Sequence, residues 1–197
     1  ANTATFQDNI TVESTTGEGV YFGTNGGASN LAATRTITVG AGGFNTGYLY
    51  LRSFTQTGGT AQAITLTGTG FIQNYNSDWG GNVDFRAPRH RTRGTTYRGT
   101  ARLDKTGATN DNSVGGNTFM QTLQCNNSGS GQMLFGNTNP DIYIGDATFN
   151  LTGSGRMYIA HNSSTNEFRA NVNINNSGTN EFYVSQTGNA RSVITGT

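Results

Sequence analysis

Residues 119–184 repeat themselves. When segments 119–135, 144–159 and 168–184 are set under one another, Leu123 and Cys125 fall over Ala147 and Phe149, and these over Val172 and Ile174. The step from Cys125 to Phe149 is 24 residues and the next, to Ile174, is 25. Gly129, Gly153 and Gly178 follow four places on; Met133, Met157 and Phe182 follow eight places on; Phe135, Ile159 and Val184 come two places after those. Apolar residues at every second position mark strands, whose side chains alternate between faces, and no 3.6-residue period competes with that reading. A unit this short, made of two strands about a glycine turn, cannot bury an apolar face alone. It must stack on its neighbours, as solenoid repeats do.

Stacking turns the repeat into columns, and the columns are chemically uniform. Asn126, Asn150 and Asn175 align, as do Ser128, Thr152 and Ser177. An asparagine column can hydrogen-bond from turn to turn through both ends of its amides. Upstream, Phe6, Ile10 and Val12 reproduce the spacing of Phe119, Leu123 and Cys125, with Ile37 and Val39 opening a second unit and Ile64 and Leu66 a third. The spacing predicts an all-β parallel β-helix, a single β-solenoid over residues 1–197 of about seven turns of 24–27 residues, most regular over 118–197. Right-handedness is expected from the general preference of parallel crossovers.

Composition fits narrow apolar columns set among polar turns. Only 12% of residues are charged, 29 are glycine and two are proline, and the net charge is +1. Near-neutrality argues against nucleic acid as partner, and no apolar run is long enough to span a membrane. The single cysteine, Cys125, falls in an inward column and reads as a small buried hydrophobe.

One stretch breaks the pattern. Residues 79–117 read as an irregular turn or an insertion, either a strand-bearing turn with a basic outer face or a loop let into the stack. It holds Arg86, Arg89, Arg91, Arg93, Arg98 and Arg102, next to Tyr75 and Trp79. Guanidinium forks bind carboxylate and sulfate bidentately, so a docking surface for acidic glycans or an acidic partner is one expectation, and a solvated outer face is the other. Asp84, His90, Asp104 and Lys105 lie in the same stretch, but a catalytic reading lacks a second cluster in the regular turns. The chain is therefore expected not to be an enzyme and to need no cofactor or metal. A further set, Tyr21, Tyr50, Leu134, Tyr158 and Tyr183, stands one place after an inward residue of each return strand, which predicts an aromatic stripe on one solvent face. Such a stripe could meet another chain or sugar rings.

Segments 147–159 and 168–184 resemble the repeats of very long secreted surface proteins of Bacteroidota, in which such arrays form stalks or adhesive fibres exported by type IX secretion. The resemblance covers about the last 80 residues well and residues 6–23 in part. It implies an extracellular or cell-surface, non-enzymatic structural and adhesive module of a larger fibre protein. Its partners would be other copies or continuing repeats of the same protein, with surface glycans as a further class. Neither end of the sequence shows a polar cap, and Val193 and Ile194 open another turn, in keeping with continuation. The alternative is a carbohydrate-binding or polysaccharide-cleaving β-helix that uses the Arg-rich segment.

Overall fold

A computed structural model describes residues 3–195 except 25, 45, 164 and 189. Within them the chain is all-β, and every ladder is parallel, each strand pairing with the strand one turn later. Three faces alternate along the chain. Face 1 is one nine-stranded sheet, from Thr3–Phe6 to Ser192–Ile194. Face 2 begins with Ile10–Thr15 paired to Ile37–Phe44 and continues as a six-stranded sheet from Gln62–Thr65 to Val172–Asn176. Face 3 is a four-stranded sheet of Gly19–Phe22, Tyr48–Arg52, Phe71–Tyr75 and Arg89–Arg93, then a three-stranded one of Met133–Leu134, Met157–Tyr158 and Phe182–Tyr183. No helix is long and apolar enough to cross a membrane.

The β-solenoid has about eight turns, one more than the spacing predicts, because the turns differ in length. On face 1, 25 residues separate the paired Tyr143 and Phe168, but only 18 separate Trp79 from Tyr97. The Arg-rich stretch is laid into this short turn. Val83–Ala87 pairs with Ala101–Lys105 on face 2, and Arg89–Arg93 pairs with Phe71–Tyr75 on face 3. Pro88 alone makes the corner between them, a place suited to a residue with fixed φ and no N–H. Short corners and polar inward residues such as His90 and Thr92 hid a complete rung inside what reads as an irregularity.

Residues 106–117 have no strand on face 3, and side chains mend the gap. The Asp111 carboxylate accepts the His90 N–H (3.1 Å) and the Ser113 hydroxyl oxygen accepts the Thr92 N–H (3.1 Å), alternate donors that a strand's carbonyls would otherwise have met. Gln62 mends the break on face 2 in the same way. Its amide oxygen accepts the Ile37 N–H (2.9 Å) and its amide nitrogen donates to the Arg35 carbonyl (2.9 Å). Buried backbone donors are thereby paired, which the interior requires.

The core is a set of columns. Cys125, Phe149 and Ile174 are in register on face 2, and Met133, Met157 and Phe182 on face 3, as the spacing predicts. Ile174 is 42% exposed, however, because no rung among the described residues covers that end of its column. Face 1 contributes an aromatic stack: Tyr97 on Phe119 (4.9 Å between centroids), Phe119 on Tyr143 (5.2 Å) and Tyr143 on Phe168 (4.3 Å), all nearly parallel and buried. The glycine column is obligatory. A Cβ at Gly153 would strike the carbonyl of Gly129, and one at Gly178 that of Gly153.

The asparagine ladder forms on the outer side of face 2. Asn175 donates to Asn150 (2.7 Å), Asn150 to Asn126 (2.6 Å), and Asn126 to Asp104, which also receives Arg102 (2.7 Å). Every amide points its donor toward the carboxylate, an arrangement in which each bond polarises the next. Asn150 makes two of these bonds, so Asn150→Ala is expected to cost about 1–2 kcal/mol. The shift in urea midpoint measures it, and an unchanged midpoint would mean the ladder contributes nothing.

Candidate functional site

The fold divides the Arg-rich set among all three faces. Arg98 lies after the face 1 strand Thr96–Tyr97 and is held by Asp78 through two contacts of 2.7 Å. Arg102 belongs to face 2, where it pairs with Asp104 (2.7 Å) and reaches Asp84 (3.9 Å); Arg86 stands beside Asp104 in register. Arg89, Arg91 and Arg93 share a different surface, the outer side of face 3, where strand alternation points all three away from inward-facing His90 and Thr92. A single docking surface made of all six is therefore not what the rungs create.

The aromatic stripe is likewise two groups. Tyr21 and Tyr50 pair in register on face 3, but the next two rungs put Gln73 and Arg91 in that column. Leu134, Tyr158 and Tyr183 form their own column in the later sheet. Leu134 and Tyr158 are buried there. The Tyr158 ring is stacked on Tyr183 (4.9 Å) and meets His161 edge-on (5.2 Å), and the Tyr183 hydroxyl donates to Glu181 (2.6 Å). Trp79 offers no surface at all. It is fully buried between Phe54 and Phe85, with its indole N–H donated to Asn74 (3.2 Å).

What remains on the outer side of the four-stranded sheet of face 3 is a patch that runs from aromatic to cationic. Its columns are Tyr48, Phe71 and Arg89; Tyr21, Tyr50, Gln73 and Arg91; and Arg52, Tyr75 and Arg93. The rings meet edge to face, Tyr21 with Tyr50 (5.4 Å), Tyr50 with Tyr75 (5.6 Å) and Tyr48 with Phe71 (4.3 Å). Arg89 lies over the Phe71 ring (5.0 Å) and Arg91 over that of Tyr75 (5.6 Å), geometries in which the ring quadrupole attracts the cation. The Nε–H groups of both are buried without an acceptor in the protein. Burial lowers the pKa of Arg89 below its usual value, and Arg91 lowers it further, while Asp111 behind it pulls the other way. Sequence reasoning found the arginines and Tyr21, Tyr50 and Tyr75 but missed Tyr48 and Phe71. They align with Arg89 only once Phe71–Tyr75 is recognised as a regular strand.

The groups considered for catalysis are committed elsewhere. Asp84 is on the outer side of face 2, whereas His90 and Lys105 are buried. The His90 ring bonds the Asp104 carbonyl (3.0 Å), and burial depresses its pKa to about 4, so it is neutral at pH 7. Lys105 caps a corner by donating to the carbonyls of Pro88 (2.9 Å), Gly107 (3.1 Å) and Thr109 (2.7 Å), with Asp111 3.8 Å away. Burial raises the pKa of Asp111 to about 7, against the pull of Lys105. The fold defines the chain as a β-solenoid repeat protein. No family model matches it, and neither a curated protein nor a solved structure is significantly similar to it.

Proposed function

We propose that this solenoid is a non-enzymatic structural and adhesive module of a larger extracellular or cell-surface fibre protein. The observation that carries this reading is how its most reactive buried side chains are used. Asp111, His90 and Lys105 join one rung to the next or cap a corner, and Asp141, Asn117 and Asn166 do the same along face 1. General acid–base work needs a group within reach of a substrate proton, and these groups are turned inward and, apart from the Asp111 Oδ2, hydrogen-bonded to their neighbours. The surface location rests on the resemblance of residues 147–159 and 168–184 to secreted Bacteroidota repeats. Continuing repeats or further copies of the chain are the partners this reading implies.

The competing reading is cleavage of an acidic polysaccharide on face 2, where Arg86, Arg102 and Asp104 line a shallow cleft of about 330 Å³. Incubation with polygalacturonate and alginate, followed by assay of new reducing ends and of unsaturated products, separates the two. No product is expected. Product that scales with protein and disappears in Asp104→Asn would overturn the structural reading.

A further inference from the structure

Among the described residues, five of the chain's eleven arginines are paired with a carboxylate. Arg98 has Asp78, Arg102 has Asp104, Arg156 has Glu181, Arg169 has Glu167 and Arg35 has Asp8. On face 3 the arrangement is different. Among the ion pairs of the described residues none involves Arg91 or Arg93, and the acid nearest Arg89, Asp111, lies behind it in the interior. Three like charges therefore stand at alternate positions of one strand, roughly 6–7 Å apart along it, within a protein whose net charge is only +1. Side by side they repel each other, and although the Phe71 and Tyr75 rings attract Arg89 and Arg91, no carboxylate among the described residues is ion-paired with them on the solvent side. A bound anion would offset the repulsion. The rungs below them present tyrosine rings at the spacing of parallel strands, roughly 4.8 Å, and Glu18, the acid near Tyr21, is at the far end of the patch.

We propose that the outer surface of face 3 docks a linear acidic polysaccharide, with Arg89, Arg91 and Arg93 taking its carboxylates or sulfates and Tyr48, Tyr50 and Tyr75 its sugar rings. The inference rests on the adhesive reading above and gives that reading a ligand class. Charge complementarity selects an anion, and guanidinium forks match carboxylate and sulfate oxygens bidentately. Half-exposed tyrosine rings set edge to face select a partner with apolar ring faces over a small inorganic ion. A peptide strand is disfavoured, because Tyr48–Arg52 and Phe71–Tyr75 have both ladder edges occupied and the outer edge of Arg89–Arg93 is already taken by Asp111, Ser113, Val114 and Gly115. Extended polymer lying across the rungs would meet rings first and cations next.

The test uses immobilised dextran sulfate, polygalacturonate and unmodified dextran, with the whole chain in solution and binding followed by interferometry. Retention on either charged polymer but not on dextran is expected, and which one retains the chain tells sulfate from carboxylate. Arg91→Gln with Arg93→Gln should weaken retention by at least about tenfold. Arg93→Gln alone, at an exposed position, gives a smaller loss without threatening the fold. Arg98→Gln with Arg102→Gln, on other faces, should change it little. Equal loss from both pairs would mean unspecific attraction and overturn the proposal, as would no retention on any polymer. Polymer that is retained and also shortened would leave the docking surface standing and remove the non-enzymatic reading; polymer neither retained nor shortened would remove only the docking surface.

Discussion

Replacing Asp141 by Ala is expected to destabilise the solenoid by roughly 3–6 kcal/mol, the sum for three buried donors left without acceptors at about 1–3 kcal/mol each, less local relaxation. Asp141 is buried at the corner that leads into Ile142–Tyr143. Its Oδ1 accepts the Asn117 backbone N–H (2.7 Å) and side-chain amide (2.8 Å), and its Oδ2 accepts the Gly136 N–H (2.7 Å). Asn117 in turn accepts the Thr95 N–H (3.1 Å) and the Thr92 hydroxyl (2.7 Å), and Asn166 accepts the Asp141 N–H (2.9 Å). The carboxylate is thus the middle of a buried polar column that ties several rungs at one corner. Burial raises its pKa to about 6, against the N–H donors that favour the anion, so unfolding should be measured at about pH 8, where it is ionised. Asp141→Asn keeps the Oδ1 contacts but sets an amide N–H₂ against the Gly136 N–H, and should fall between wild type and Ala. If Ala and Asn cost the same small amount, under about 1 kcal/mol, the column does not hold the rungs.

Which parts of this architecture were legible depends on how repetitive each column is. Cys125, Phe149 and Ile174, the glycines at 129, 153 and 178, and the ladder Asn126, Asn150 and Asn175 carry like chemistry at like spacing, so alignment of three segments places them in register. The column of Ser77, Thr95, Asn117, Asp141 and Asn166 is just as continuous and just as buried, but its members differ in type and resemble turn residues. No periodicity of apolar residues can report a polar interior. The 18-residue turn escaped for a related reason: the Phe85-to-Leu103 step is the shortest on face 2, and the inward positions between them include His90 and Thr92. Trp79 and Tyr158 show a different limit. Outward or inward can be read from alternation, but Tyr158 points away from the core column and is still covered, by Tyr183 and by His161 in a turn that strand alternation does not describe. The candidate site was half legible, since arginines crowd in sequence while their aromatic neighbours Tyr48 and Phe71 come from earlier rungs.

The second large effect is expected at Phe149. Its ring is fully buried and meets Phe135 (6.0 Å), Tyr143 (5.8 Å), Phe168 (6.3 Å) and Phe182 (6.4 Å), so both of the other faces send aromatic residues to it. Truncation to Ala removes the ring and leaves a cavity whose walls are strands pinned by parallel ladders on each face. Such walls relax little, which puts the cost toward the upper part of roughly 3–5 kcal/mol. Ile174 is the internal comparison. It occupies the next place in the same column, in register with Phe149, but is 42% exposed. Because much of its surface already meets water and its removal opens no closed cavity, Ile174→Ala should cost about 1 kcal/mol. Chemical denaturation of both variants decides between two ways a solenoid can be held. A large loss at Phe149 with a small one at Ile174 means stability follows enclosure by rungs on both sides. Equal losses would mean the column contributes through strand pairing alone, and the aromatic interior would then be filling rather than fastening the stack.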